Sequence, residues 1–132
     1  MERVSAGARA AAALAEHAEA VARSVTGLLY AEMPWLVDRY GERGRQKCLQ
    51  DMRYHLQHLS PAVELEEPAL FARYAEWCDD VLRARGVQTA ELARSLQLME
   101  SDVAARLPGE DARIVADCLQ AGIGVLHPDG AG

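Results

Sequence analysis

Gly44-Arg45-Gln46-Lys47-Cys48-Leu49-Gln50-Asp51-Met52-Arg53-Tyr54-His55-Leu56-Gln57-His58-Leu59 is the stretch on which the reading of this chain turns. Placed at 100° intervals, Leu49, Met52, Leu56 and Leu59 share one stripe at 3-4-3 spacing, which is the core face of a helix. Gln50, Arg53 and Gln57 lie opposite and face solvent. Cys48 and His55 border the stripe on one flank, and Asp51, His58, Tyr54 and Lys47 continue outward on that flank. One border of the core therefore carries a thiol, a carboxylate, two imidazoles, a phenol and an ammonium. Asp51 and His55 are i,i+4 neighbours, and Cys48 and Asp51 are i,i+3 neighbours. Singly, each has an ordinary structural role. A lone Cys is most often a small buried hydrophobe, Asp51 is within reach of Lys47, and the histidines fit as satisfied structural groups.

Working outward, the periodicity predicts one all-α domain over residues 1–132, with no period-2 strand. A first helix is expected from Ser5 to Glu32, bounded by Pro34, and a short turn or single helical turn over Pro34 to Tyr40. The second helix is expected from Glu42 to Ser60, stopping before Pro61. An acidic loop follows from Glu64 to Glu67. The third helix spans Pro68 to Arg85, with Pro68 suited to its first turn and Gly86 to its end. Thr89 is expected to cap a fourth helix that runs to Leu107, where Pro108-Gly109 breaks it. A fifth ends near His127-Pro128, and residues 129–132 read as a frayed tail. Short connections imply a compact bundle or globin-like arrangement.

Composition narrows the function. Of 132 residues 24 are Ala, and the aromatic residues are four Tyr, two Trp and one Phe, so large core side chains are scarce. Arg supplies all but one of the 14 basic residues, and Lys47 is the single lysine. With a net charge of −6 and no Lys/Arg run, neither a nucleic acid nor an acidic membrane is an expected partner. Cys48, Cys78 and Cys118 are far apart and odd in number, which fits free thiols in a reducing compartment. No apolar stretch approaches the roughly 18 residues of a membrane span, and a cytoplasmic protein is expected. A phosphate-cradling Gly loop and a Ser/His/Asp signature are both lacking. Cys48 and His55 stand about 10 Å apart along the helix, too far for one to activate the other. A metal site from His55, His58 and Asp51 would need ligands from elsewhere. The chain is not expected to be an enzyme.

Gly44 to Leu56 resembles the chromophore-attachment segment of phycobiliproteins, which reads roughly Gly-x-x-Lys-Cys-x-Arg-Asp-x-x-Tyr-Tyr-Leu. The resemblance extends through Leu29-Tyr30, Arg39-Tyr40-Gly41 and Leu70-Phe71-Ala72-Arg73-Tyr74, and covers about Ala22 to Leu107. More closely still, the chain is similar to photoglobin, a non-haem globin family proposed as a bacterial bilin photosensor. The resemblance implies a globin-like fold that holds a linear tetrapyrrole such as biliverdin or phycocyanobilin between the second and third helices. Cys48 matches the attachment cysteine, whose sulfur forms a thioether with ring A; Lys47 and Arg45 are expected to favour its thiolate. Asp51 matches the carboxylate that accepts hydrogen bonds from the central pyrrole N–H groups. Lys47 is placed to pair with a propionate. Tyr54 and Tyr74 match aromatic positions near the chromophore, and Trp77 belongs with them. His55 stands where phycobiliproteins usually have Tyr, and an imidazole there would hydrogen-bond a pyrrole carbonyl and respond to protonation.

The sequence also departs from that pattern. Gln50 replaces the arginine that pairs with a propionate, so Arg45, Arg73 or another arginine must substitute. No aromatic residues stand around Leu92. Only about thirty residues precede the first turn, so a sensory module is expected rather than a light-harvesting rod component, with a homodimer allowed. The implied partners are two-component proteins and B12-binding-domain proteins. A haem globin needs a proximal His on the third helix, and Pro68 to Arg85 has none; haem is not expected. The remaining alternative is a ligand-free globin-like interaction module. If the resemblance holds, part of the volume missing from this Ala-rich core belongs to a chromophore.

Overall fold

The computed structural model describes residues 4–126. They form five α-helices: α1 (Ala6–Glu32), α2 (Trp35–Glu64), α3 (Pro68–Ala84), α4 (Thr89–Arg106) and α5 (Gly109–Leu126). The expected end of the fifth helix at His127-Pro128 and the tail over 129–132 lie outside the described residues.

Helix α1 starts where Ser5 accepts a hydrogen bond from the Ala8 amide at 3.0 Å. Its Ala-rich face lets it lie close to α2, and Gly7 sits directly on the backbone of Val63 and Glu64. Trp35 to Tyr40 forms a helical segment of its own. Gly41, at φ +68°, turns the chain there before α2 proper begins, a conformation that favours glycine.

Helix α2 does not stop before Pro61. It continues to Glu64 with Pro61 inside its last turn. Proline removes one backbone donor at a cost of about 3 kcal/mol in a helix interior. Ala62 and Val63 are fully buried, and burying a valine side chain alone returns about 1.5–3 kcal/mol. The acidic loop accordingly shrinks to Leu65 to Glu67.

Pro68 occupies the first turn of α3 as expected. Gly86 (φ +86°) ends that helix, and the Val87 amide reaches back to the Leu82 carbonyl at 2.9 Å. Thr89 is not the cap of α4; Gln88 holds that position without a side-chain bond. The Thr89 hydroxyl is used elsewhere, donating to the Asp79 carboxylate at 2.7 Å. A charged acceptor on α3 outcompetes the local amide, and the bond ties the α3–α4 corner together.

The core gathers Leu14, Val25, Leu59, Phe71, Met99, Val115 and Leu119, all essentially inaccessible. Helices α3 and α5 meet at Gly122, where a Cβ would lie 2.7 Å from Phe71 Cδ2. No described helix is long and apolar enough to cross a membrane.

Candidate functional site

Helices α2 and α3 diverge beyond this core. Between them lie two spaces that share Lys47, Asp51, His55, Leu82 and Arg85. The inner cavity, about 120 Å³, reaches toward α1 and α4 and is lined also by Cys48, Met52, Tyr30 and Leu92. The outer groove, about 450 Å³, is lined by Tyr54 on one side and by Tyr74, Trp77, Cys78 and Val81 on the other. Small-molecule sites occupy about 300–1,000 Å³ and combine apolar walls with few convergent polar groups. Tyr54 and Trp77 are 45% and 52% exposed, an unusual state for large aromatic side chains lining a concavity.

Of the residues singled out from the sequence, the structure brings Lys47, Cys48, Asp51, Tyr54, His55, Tyr74 and Trp77 to these two spaces. Cys48 borders only the inner cavity. Arg45 lines neither. Its guanidinium lies over the Tyr30 ring, 5.3 Å from the centroid, and borders a separate hollow with Arg23 and Glu42.

Asp51 pairs not with Lys47 but with Arg85, at 3.2 Å. A partly exposed pair of this kind contributes little to stability. It does place a guanidinium beside the carboxylate where both spaces join. Of Arg85, Arg45 and Arg73, Arg85 alone lines the two spaces. It ends α3, 34 residues from Asp51, and no local spacing on α2 points to it.

The thiolate expected at Cys48 is not favoured. Burial pushes the thiol up to about 11, with the Asp51 charge adding to it, against the influence of the nearby Thr26 hydroxyl and the pull of the Arg45 charge. Desolvation outweighs one exposed cation, so Cys48 is protonated near neutral pH.

His55 is 1% exposed. Its Nδ1 lies 2.6 Å from the Tyr74 hydroxyl and 3.9 Å from the Cys78 sulfur. Burial, with a smaller push from His58, lowers its pKa to about 4. The expected response to protonation is therefore absent in the physiological range. Tyr74 is the hub of the aromatic wall, stacked on His58 at 4.4 Å and tilted against Phe71 and Trp77 at 5.4 and 6.0 Å. Sequence reasoning missed the Cys78–His55 contact, which joins two helices across 23 residues. Among the described residues no group of three or more His, Cys, Asp or Glu side chains converges as a metal site.

The model of the phycobilisome protein family matches residues 1–126, nearly the whole chain. The chain belongs to the phycobilisome protein family. Its five strand-free helices are that family's all-α, globin-like fold. Phycobilisome proteins are bilin-binding, globin-like proteins, and bilins are linear tetrapyrroles. No curated protein matches the chain.

The residues present fit such a group. Asp51 offers an acceptor to pyrrole N–H donors, Arg85 and Lys47 offer cations to propionates, and Tyr54, Tyr74 and Trp77 offer flat apolar walls.

Proposed function

We propose that this phycobilisome-family protein is a non-catalytic bilin-binding module that acts as a cytoplasmic photosensor of the photoglobin type. The observation that carries the reading is the Asp51 carboxylate. It stands where cavity and groove join, is paired with the partly exposed Arg85, and lies across from an aromatic wall.

When bound, the tetrapyrrole supplies a conjugated cation that absorbs visible light and isomerises. Asp51 would accept hydrogen bonds from its ring N–H groups and stabilise the positive charge. Arg85, paired with Asp51 in this structure, and Lys47 would offer cations to the propionates. Tyr54 and Trp77 exclude water from the ring faces. Cys48 would supply the thiol for attachment, an addition in which its sulfur would bond to the ring A side chain and its hydrogen would go to carbon. With its thiol pushed up to about 11, Cys48 reacts slowly unaided, so binding precedes attachment.

Trp77 and Tyr74 line the groove and would feel a change in the shape of a ligand held there. Tyr74 contacts Phe71, and Phe71 seats Gly122 of α5. That chain of contacts supports a signalling role, with output through a two-component or B12-binding-domain protein.

Co-expression with a haem oxygenase tests the reading. The purified chain is expected to be coloured, with a red-shifted long-wavelength band. Asp51→Asn is expected to blue-shift or bleach it, and Cys48→Ser to abolish zinc-induced fluorescence on a denaturing gel. A colourless protein supports the ligand-free module instead, and an Asp51→Asn spectrum identical to wild type removes the carboxylate from its role.

A further inference from the structure

His55 Nε2 is the one buried side-chain nitrogen or oxygen among the described residues with no hydrogen-bond partner. Whether it is a donor or an acceptor depends on which ring nitrogen carries the proton. The Tyr74 hydroxyl decides this. A buried phenol needs an acceptor for its hydrogen, and Nδ1 lies 2.6 Å away. The neighbouring Cys78 sulfur is a weak acceptor by comparison. Tyr74 therefore donates to Nδ1, and the imidazole proton resides on Nε2. An unmatched buried donor costs about 1–3 kcal/mol, a cost that an acceptor entering the site removes.

His55 lines both the cavity and the groove. It follows Asp51 by one helical turn, so their Cβ atoms are about 5–6 Å apart. The ionised carboxylate only accepts, and Nε2–H only donates. A complementary ligand carries N–H donors and, about one helical turn further along, a carbonyl oxygen.

We infer that His55 Nε2–H is a specificity-determining donor for a carbonyl oxygen of the bound ligand, and that Tyr74 is a positioning residue that fixes the imidazole tautomer. The ligand half of this inference rests on the bilin reading above, in which the oxygen is the lactam carbonyl of a terminal pyrrole ring. The tautomer half does not.

Two measurements separate the halves. In the ligand-free protein labelled with ¹⁵N-histidine, His55 is expected to show a protonated Nε2 and a bare, hydrogen-bonded Nδ1 at pH 7. Tyr74→Phe is expected to collapse that pattern toward a mixture of tautomers. An Nδ1–H ring or an imidazolium in wild type overturns the inference. With biliverdin bound, the Raman band of the lactam carbonyl is expected at lower wavenumber in wild type than in His55→Phe, with about tenfold weaker binding in the variant. His55→Gln, which keeps an N–H donor and guards against misfolding, is expected to restore both. A carbonyl band unmoved by His55→Phe, or an Nε2 bonded only to a trapped water, also overturns it. If biliverdin does not bind wild type, the bilin reading and the ligand half fall together, while the nitrogen shifts still decide the tautomer.

Discussion

Against α5, helix α3 comes so close that a Cβ on Gly122 would lie 2.7 Å from Phe71 Cδ2; against α2, the same helix stands back around a groove of about 450 Å³. The closed side is made of small residues, Ala75 and Gly122, around one inaccessible ring. The open side is propped by Tyr74, Trp77 and Leu82 facing Asp51 and His55. Close packing is the ordinary state of a protein interior. Helix α3 achieves it on one face and forgoes it on the other, leaving an open cleft where polar groups converge. The scarcity of large side chains now divides in two. Alanine and glycine serve the closed contacts, and most of the aromatic residues are spent on the cleft and its surroundings.

The contrast can be broken most forcefully from the closed side. Phe71→Ala leaves a hole in the α3–α5 contact and is expected to cost about 3–5 kcal/mol, read as a lower urea midpoint with an unchanged slope. A loss under about 1 kcal/mol would mean that the two helices are not held by this ring.

An intermediate effect comes from the border between the two sides. The His55 pKa is about 4 in the folded protein against 6.5 for the free side chain, because burial disfavours the charged ring. Between those values the unfolded chain binds more protons than the folded one, so stability rises with pH across the window. Stability is therefore expected to fall as the pH drops from about 6.5 toward 4, by on the order of 3 kcal/mol. Urea titrations at several pH values check this, and His55→Gln is expected to flatten the slope. An equal slope in the variant would assign the pH dependence to other groups.

The smallest stability effect is expected on the open side. Trp77 is about half exposed, so Trp77→Ala is expected to change stability by under about 1 kcal/mol while weakening biliverdin binding. A large loss of stability with unchanged binding would reverse the roles assigned to the two faces.

Much of this was legible in the sequence, for a local reason. The border of Lys47, Cys48, Asp51, Tyr54 and His55 lies on one helix, where i,i+3 and i,i+4 spacing translates directly into a shared face. The five helices followed from periodicity and from Pro34, Pro68, Gly86 and Pro108. Three features were hidden because they depend on contacts between helices. Pro61 reads as a stop, yet burial of Ala62 and Val63 carries α2 past it. Thr89 reads as a cap, yet Asp79 takes its hydroxyl. Cys78 lies on α3 and Arg85 caps its end, and nothing on α2 announces that they meet Asp51 and His55. The charge state of Cys48 was misread for a related reason: Arg45 and Lys47 are visible in the sequence, and the depth of the thiol is not.

The central claim is that the space between α2 and α3 receives a bilin, and titration of the purified chain with biliverdin, followed by visible absorbance, tests it most directly. Saturation is expected at one biliverdin per chain, with a sharpened, red-shifted long-wavelength band. A spectrum that remains that of biliverdin in buffer at every protein concentration would contradict it.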